Sequence, residues 1–146
     1  MLRRQVGEDA FWKGLSNYFS RYRNSNALTI DFQSVMEDAF GKSLGPFFQQ
    51  WVYTPGQPSI KGGWRYVGGI LTIDIHQAQA ADVVYQTPLD IGIVKDRNAG
   101  PTIETVQLER RDQSFTIKLD REPAEVLLDP NVWLLMDLVE FVKRTR

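Results

Sequence analysis

The residues of this chain that could carry out chemistry are few and scattered. His76 is the only histidine among the 146 residues, and there is no cysteine. A zinc site built on nitrogen and oxygen ligands normally needs two or three histidines, and a serine nucleophile needs a histidine backed by a carboxylate. We therefore expect His76 to be a solvated residue on the polar side of a strand. The sequence predicts no catalytic, cofactor-binding or metal-binding residue.

Five carboxylates could in principle supply an acid–base pair of the kind that glycosidases use. Most of them fall in predicted turns or on the outward sides of predicted strands, where solvation is expected: Asp74, Asp90, Glu104, Asp120 and Asp129. The glycines at positions 62, 63, 68 and 69 follow no phosphate-loop spacing and precede no helix, which favours turns and strands. The basic tail, residues 143–146, is predicted to be a frayed, solvated terminus.

Aromatic residues in the second half of the chain could form a binding platform. Trp64, Tyr66 and Trp133 fall there, and exposed aromatic side chains on a sheet can stack against sugars. Buried tryptophan is the commoner outcome in a domain of this size, because its large apolar surface stabilises a core. Burial is therefore the favoured interpretation, and a surface platform is the alternative.

The composition is that of an ordinary soluble globular protein, with 42% hydrophobic and 24% charged residues. The formal net charge is −1, so no overall field attracts nucleic acid or an anionic membrane. No apolar run approaches the length of a membrane span, and the first residues lack the apolar stretch of a signal peptide. We expect a soluble chain with neither nucleic acid nor membrane as a partner.

The first half of the chain has helical periodicity. Phe11, Leu15, Tyr18 and Tyr22 recur at helical spacing, and Trp12 and Phe19 widen the same stripe. This pattern predicts a helix from about Asp9 to Arg23. Residues 1–6 are expected to be the last turns of an earlier helix.

Two further helices are predicted before residue 54. Thr29 is the expected N-cap of the second, which Gly41 ends, and Ser43 is the expected cap of a third, shorter helix. The segment 54–58 contains two prolines and a glycine and predicts a boundary.

Beyond this boundary the period changes to two, which indicates half-buried strands. Apolar and polar residues alternate in the segments 71–76, 89–93 and 115–119, and turns are predicted at 68–69, 95–101 and 121–123. The fold class is therefore α+β: three N-terminal helices in residues 1–54, followed by an antiparallel β-sandwich of about seven strands in residues 55–146.

Several short motifs, in this order and spacing, resemble one known family. They are Val6-Gly7, Phe11-Trp12, Asn26-Ala27-Leu28-Thr29, Asp31-Phe32, Met36-Glu37 and, most specifically, Phe47-Phe48-Gln49-Gln50-Trp51 with Gly56 and Pro58 behind it. They resemble the helical stretch after the active site in the aminopeptidase N-like zinc metallopeptidases (gluzincins). The second half is similar to the β domain that follows there, and Leu128-Asp129-Pro130, Trp133 and Leu134-Leu135 resemble its closing strand.

The resemblance implies the non-catalytic C-terminal portion of a zinc aminopeptidase, supporting a catalytic domain that removes N-terminal amino acids from peptides. The family's His-Glu-x-x-His helix, further glutamate ligand and proton-donating tyrosine match no position here, so no catalytic residue carries over. The resemblance implies zinc in the full-length parent and none in this chain, which is expected to be inactive alone. The expected partner is the rest of the parent catalytic domain, with peptide substrate met only through the parent.

Other interpretations remain open on the residues alone. One is a free-standing β-sandwich module that binds carbohydrate or protein, and another is an independent hydrolase, which the shortage of ligands disfavours. The aromatic residues of the first 53 positions also predict self-association through the helical segment, or else a helical segment that is less protected than the sandwich, if their surface is left uncovered.

Overall fold

A computed structural model describes residues 1–80, 82–96 and 98–145 of the chain. Backbone contacts divide it into two compact units, Met1–Gly56 and Gln57–Arg146, which we call the helical unit and the sandwich unit. None of the helices in the described part is long and apolar enough to cross a membrane.

The helical unit contains the three predicted helices and a short one before them. The elements are α1 (Leu2–Val6), α2 (Glu8–Tyr22), α3 (Thr29–Phe40) and α4 (Gly45–Phe48), and α4 continues into a π-helical turn over Gln49–Tyr53. The helical character predicted for residues 1–6 is confirmed by α1. Gly7 separates α1 from α2 with a φ of 84°, a backbone conformation that glycine adopts without strain.

The aromatic stripe predicted on α2 divides into two faces. Gly14 is buried and lies so close to α3 that a Cβ there would come within 2.5 Å of the Met36 Sδ. On the same side, the rings of Tyr18 and Phe32 meet edge to face with centroids 5.0 Å apart. Trp12 and Phe19 point away from this contact and are 53% and 67% exposed. The prediction of one continuous stripe was wrong, because only one side of α2 packs against α3.

The start of α3 differs from the prediction. Thr29 is the first helical residue rather than the N-cap, and Leu28 holds the N-cap position. Asp31 takes over the capping role, since its carboxylate accepts a hydrogen bond of 2.8 Å from the Leu28 N–H. The predicted end is confirmed: Gly41 adopts the left-handed conformation, with φ 76° and ψ 13°.

The start of α4 depends on Glu37 of α3. The N-cap position falls on Leu44 rather than on the predicted Ser43, whose hydroxyl accepts a hydrogen bond of 3.2 Å from the Gly45 N–H. The Glu37 carboxylate accepts hydrogen bonds from the Leu44 N–H at 2.7 Å and from the Gln33 amide at 2.9 Å. These bonds hold the pKa of Glu37 below its ordinary value, with the Gln33 amide as the largest cause. Between the helices, a core forms from Val6, Met36, Leu44 and Phe48.

In the described residues the sandwich unit has seven strands. They are β1 (Ser59–Val67), β2 (Ile70–Gln77), β3 (Thr87–Val94), β4 (Thr102–Leu108), β5 (Asp112–Lys118), β6 (Glu125–Leu128) and β7 (Asp137–Lys143). One sheet has the order β5-β2-β1-β7 and the other β4-β3-β6. The predicted seven-stranded, sandwich-like fold is confirmed, with one exception to its antiparallel character: β7 pairs with β1 in parallel.

The alternation predicted for the strands holds on β2, where Leu71, Ile73 and Ile75 are buried. It fails on β3. Leu89, Ile91 and Ile93 are buried as expected, but the intervening Asp90 and Gly92 are buried as well. Because β3 is the central strand of its sheet and its second face is covered, no solvated face remains there.

The C-terminal segment also differs from the prediction. Leu128 ends β6, whereas Trp133 and Leu134 lie in the connection to β7, so the closing strand begins later than expected. The tail is not frayed at its start: Lys143 belongs to β7 and Arg144 donates a backbone hydrogen bond of 2.8 Å to the Trp64 carbonyl. Arg146 and the Arg97 of the predicted 95–101 turn lie outside the described residues.

Candidate functional site

The outward face of the four-stranded sheet brings together most of the polar side chains that could do chemistry. The strand register aligns Glu140, Lys61, His76 and Asp112 across β7, β1, β2 and β5 in that order. Next to this row, Asp74 is opposite Ser114, and the Arg144 side chain lies across Gly63. Together they line a shallow groove of about 380 Å³, which we call the polar groove.

His76 lies on the outward strand face, as the sequence predicted, but its side chain is bonded to a carboxylate as well as being partly solvated. Its Nδ1 lies 2.6 Å from the Asp112 Oδ1, and its side chain is 34% exposed. A histidine backed by a carboxylate is one part of a nucleophile-activating arrangement. The nucleophile that would complete the arrangement is not bonded to His76, because the neighbouring Ser114 hydroxyl donates its hydrogen bond to Asp74 at 2.6 Å.

Asp74 is the most engaged carboxylate of the polar groove, and the prediction that it is merely solvated was wrong. It accepts hydrogen bonds from Ser114, from Arg65 at 2.7 Å and from Arg144 at 3.4 Å. The Ser114 bond is the largest cause that lowers the pKa of Asp74, and the two guanidinium groups add to it. A group held this way stays ionised near neutrality and serves as a structural anion rather than a proton donor.

Gly63 permits this arrangement. A Cβ at Gly63 would come within 2.5 Å of the Val142 carbonyl oxygen and 2.9 Å of the Arg144 Nε. The absence of a side chain therefore lets Arg144 fold over β1 and reach Asp74. The sequence signal was present, since two adjacent glycines interrupt an otherwise regular strand, but it indicated only a turn or strand.

The other candidate carboxylates lie apart from one another. Asp90 is buried, not outward as predicted, and its Oδ1 accepts a hydrogen bond of 2.6 Å from the Thr105 hydroxyl. Glu104 is exposed on β4, and Asp120 is paired with Lys95 at 3.0 Å. Asp129 lies in the predicted turn with a φ of 44°. Its carboxylate accepts the backbone N–H groups of residues 133 and 134, so its role is to close this turn.

The three aromatic residues considered for a stacking platform are buried or half-buried in the structure. Trp64 is 4% exposed, as the favoured interpretation predicted, and Lys143 lies over its ring at 5.2 Å from the centroid. Tyr66 is half-buried and donates from its hydroxyl to the Leu119 carbonyl at 3.3 Å. Trp133 is half-buried in the connection between β6 and β7.

The described residues, 1–80, 82–96 and 98–145, contain no group of three or more histidine or acidic side chains placed to hold a metal ion. The donor set explains this. The single histidine is bonded to Asp112, and Asp74 is occupied by Ser114 and arginines. The residues present therefore do not fit a zinc centre, and we derive no catalytic step through a metal in this chain.

An apolar surface on the helical unit was only partly foreseen. Tyr22 is half-buried, and its ring centroid lies 5.2 Å from that of Tyr18. Trp12, Leu15 and Phe19 are exposed along α2 on the side away from Gly14, and we call them the outer stripe. A cavity of about 360 Å³ opens at its C-terminal end, lined by Leu15, Tyr18, Phe19, Tyr22, Arg23, Ser25 and Ala27. Their helical spacing indicates most of these residues but places them on one face with the core.

Known proteins show similarity to this chain in both sequence and structure. Aminopeptidase N of Lactococcus lactis subsp. lactis is 37% identical over 60 residues, which are 41% of this chain and 7% of that protein. The puromycin-sensitive aminopeptidase of Caenorhabditis elegans is 33% identical over 128 residues, covering 81% of this chain and 13% of that protein. A probable aminopeptidase 1 of Saccharolobus solfataricus is 29% identical over 130 residues, covering 88% and 14%. No family model matches.

Among solved structures, aminopeptidase A of Legionella pneumophila, crystallised with aspartic acid, superposes with a TM-score of 0.66 at 13% identity. The superposition covers 99% of this chain and 16% of that protein, and at this identity it establishes the fold alone. The sequence matches relate the chain to aminopeptidase N and its relatives, as the motifs predicted. The chain spans 7–14% of the length of the curated relatives described above.

Proposed function

We propose that this chain is the non-catalytic C-terminal portion of an aminopeptidase N-like zinc enzyme and that it supports the catalytic domain of its parent. The observation that carries the proposal is the extent of the sequence match. The similarity to the Caenorhabditis elegans enzyme covers 81% of the chain, which is more than either unit contains, so it includes parts of both. A shared sandwich alone would not bring the helical unit into the match.

The side chains available as metal ligands and as a general base indicate which part of the enzyme would carry the catalytic groups. Zinc in such a parent would polarise the scissile carbonyl and activate water, which needs ligands and a general base. This chain offers one histidine, engaged by Asp112. The catalytic groups are therefore assigned to the rest of the parent, and peptide reaches this chain only as part of the whole enzyme.

The supporting role has a physical basis on the surface of the helical unit outside α2. Leu28 and Ile30, at the start of α3, are 71% and 56% exposed, and Val52 and Tyr53 are each 48% exposed. Covering apolar side chains stabilises a contact by about 25 cal/mol for each Å² removed from water. These residues would lie against the remaining catalytic domain, so that each part stabilises the other.

The coding frame tests the proposal. In the native genome, the frame upstream of Met1 is expected to continue and to encode His-Glu-x-x-His with a further glutamate beyond it. An in-frame stop codon directly before Met1 would contradict the proposal and favour a free-standing sandwich module.

A reconstitution separates support from catalysis. A parent enzyme that lacks the segment corresponding to this chain is expected to be poorly soluble and to lose peptidase turnover. Co-expression of this chain is expected to restore both solubility and turnover. A matched variant carries Leu28→Asp and Ile30→Asp at two exposed positions, and circular dichroism checks that the chain keeps its fold. Restoration by this variant as fully as by the unaltered chain would contradict the proposed contact.

A further inference from the structure

Strand β7 has few side-chain contacts to hold it in its sheet. None of its seven residues is buried, and six of them are exposed. It pairs with β1 in parallel, and parallel pairing is slightly less stable per residue than antiparallel pairing. Segments with little buried apolar surface open at a lower free energy than the core of a fold. The position of β7 therefore depends largely on the contacts at its two ends.

The pairing of β7 with β1 contains a bulge. Ile60 of β1 pairs with Leu138, but the next residue, Lys61, pairs with Glu140, so Val139 is an extra residue in β7. Without the bulge, every later residue of β7 would move by one position, and its side chain would turn to the opposite face of the sheet. Because a backbone ladder can form in either register, side chains must select the observed one.

The contacts at the start of β7 do not select this register. The Asp137 N–H donates to the Pro58 carbonyl at 2.9 Å, and the Asp137 carboxylate accepts a hydrogen bond of 2.8 Å from the Gln57 amide. Both bonds lie before the bulge. They fix where the strand begins and leave the part after the bulge to the contacts at its other end.

Two cationic residues hold that other end from opposite sides of β1. Lys143 lies over the ring of the buried Trp64, 5.2 Å from the centroid. The Arg144 side chain lies across Gly63, and its backbone N–H donates to the Trp64 carbonyl at 2.8 Å. Successive residues of a strand point to opposite faces, so Lys143 and Arg144 lie on opposite sides of β1.

Each of the two cations also has an acidic partner elsewhere in the sandwich unit. The Lys143 Nζ lies 2.9 Å from the Glu122 Oε1, in the connection between β5 and β6. The Arg144 guanidinium lies 3.4 Å from the carboxylate of Asp74 on β2, which Ser114 of β5 holds in place. The end of β7 is therefore connected to residues well beyond its neighbour β1.

We propose that Lys143 and Arg144 form a two-sided clasp that selects the register of β7 and keeps this edge strand in the sheet. When the clasp is open, the part of β7 after the bulge leaves β1 while β2 stays in place, because Leu71, Ile73 and Ile75 of β2 are buried. This opening uncovers the edge of β1 beside Trp64. The proposal does not rest on the aminopeptidase assignment.

Hydrogen exchange of the full chain, followed residue by residue by NMR, tests the clasp. Lys143→Gln with Arg144→Gln removes both positive charges and is expected to lower the protection of the β7 ladder amides by about tenfold, the combined effect of two exposed ion pairs and one cation–π contact. The protection of the β2 amides should not change. The matched control, Lys118→Gln with Arg121→Gln, removes two positive charges at the end of β5, the opposite edge of the same sheet, and should leave β7 unchanged.

A conservative exchange separates charge from side-chain packing. Lys143→Arg with Arg144→Lys keeps both charges and is expected to retain most of the protection. Cross-strand NMR contacts between Gly63 and Val142, which are paired in the observed register, should weaken only in the double glutamine variant.

Three results would overturn the proposal. They are unchanged β7 protection in the double glutamine variant, an equal loss of protection on β2, and a conservative variant as weakly protected as the glutamine one. None of these results bears on the coding-frame test of the aminopeptidase assignment.

Discussion

The sandwich unit buries the apolar residues of its central strands almost completely, whereas the helical unit leaves large aromatic side chains in solvent. Ile73 on β2 and Ile91 on β3 are 0% exposed, while Phe19 on α2 is 67% exposed. The two units also treat charge differently. The sandwich unit arranges ionic groups in ordered pairs on an outward sheet face, and the helical unit uses Glu37 to connect α3 to α4.

This contrast indicates which parts of the surface still expose apolar area that a contact could bury. A sheet face covered with paired charges needs no further cover, because its groups are already solvated or bonded. A helix with an aromatic row on its free side has apolar area still to bury. Val132 and Val139 of the sandwich unit are nevertheless 84% and 62% exposed, so contacts with other polypeptide are expected on both units.

The largest effect should come from removing apolar volume from the sandwich unit. Ile73→Ala is expected to lower the free energy of unfolding by about 4 kcal/mol, because it leaves a cavity between paired strands. Phe19→Ala, which removes a larger but exposed side chain, is expected to change it by less than about 0.5 kcal/mol in the monomer. Urea denaturation at low concentration measures both, and equal losses would remove the contrast between the units.

The next effect compares two glycines that stand at close contacts. A Cβ at Gly62 would clash with the backbone carbonyl of Asp74, whereas a Cβ at Gly14 would meet the end of the Met36 side chain. Gly62→Ala is expected to cost about 3 kcal/mol because a backbone carbonyl cannot move aside. Gly14→Ala is expected to cost less than about 1 kcal/mol, since methionine adapts and alanine favours a helix. Thermal unfolding measures the difference, and a Gly14→Ala variant as unstable as Gly62→Ala would contradict it.

A smaller effect is expected at Glu37. Glu37→Ala removes the acceptor for the Leu44 N–H and should lower the stability of the helical unit by about 1–2 kcal/mol. Because the folded pKa of Glu37 is lowered, its contribution is fully present above the ordinary value of 4.5 and is lost as pH falls through the folded pKa. The protection of the α4 amides, measured relative to their intrinsic exchange rate at each pH, should therefore fall in acid in the unaltered chain. An acid dependence unchanged in Glu37→Ala would contradict this assignment.

The smallest effect is expected at Asp74, whose partners are on the surface. Asp74→Asn removes the charge that Arg65 and Arg144 share and should cost about 1 kcal/mol or less. The folded pKa of Asp74 is lowered too, so its contribution is present above the ordinary value of 3.8 and disappears at lower pH. Salt should reduce the effect of Asp74→Asn more than that of Ile73→Ala, which acid and salt titrations of stability would show.

Much of the fold could be predicted from the sequence because each unit follows one simple period. The helical spacing of α2 and the alternation of β2 come directly from which residues face a core. The local pattern could not show which distant residues cover each side of a helix or strand. The burial of both sides of β3 depends on residues distant in sequence, such as Pro101 and Pro130 over Gly92. The division of the α2 stripe depends on where α3 lies.

The polar groove was largely unforeseen for the same reason. His76 and Asp112 are 36 residues apart, and Asp74 and Arg144 are 70 apart, so only the strand register reveals that they meet. The parallel pairing of β7 with β1 places Arg144 above Gly63, and no local spacing indicates such a pairing. The family resemblance, in contrast, depended on the order of short motifs, which the sequence contains in full.

Metal analysis joined to a turnover assay tests the proposal that this chain supports an aminopeptidase without carrying its chemistry. The purified chain is dialysed, its zinc is quantified, and release of amino acid from aminoacyl substrates is measured with and without added zinc. We expect no stoichiometric zinc and no turnover in either condition. Close to one zinc per chain together with measurable peptidase turnover would contradict it.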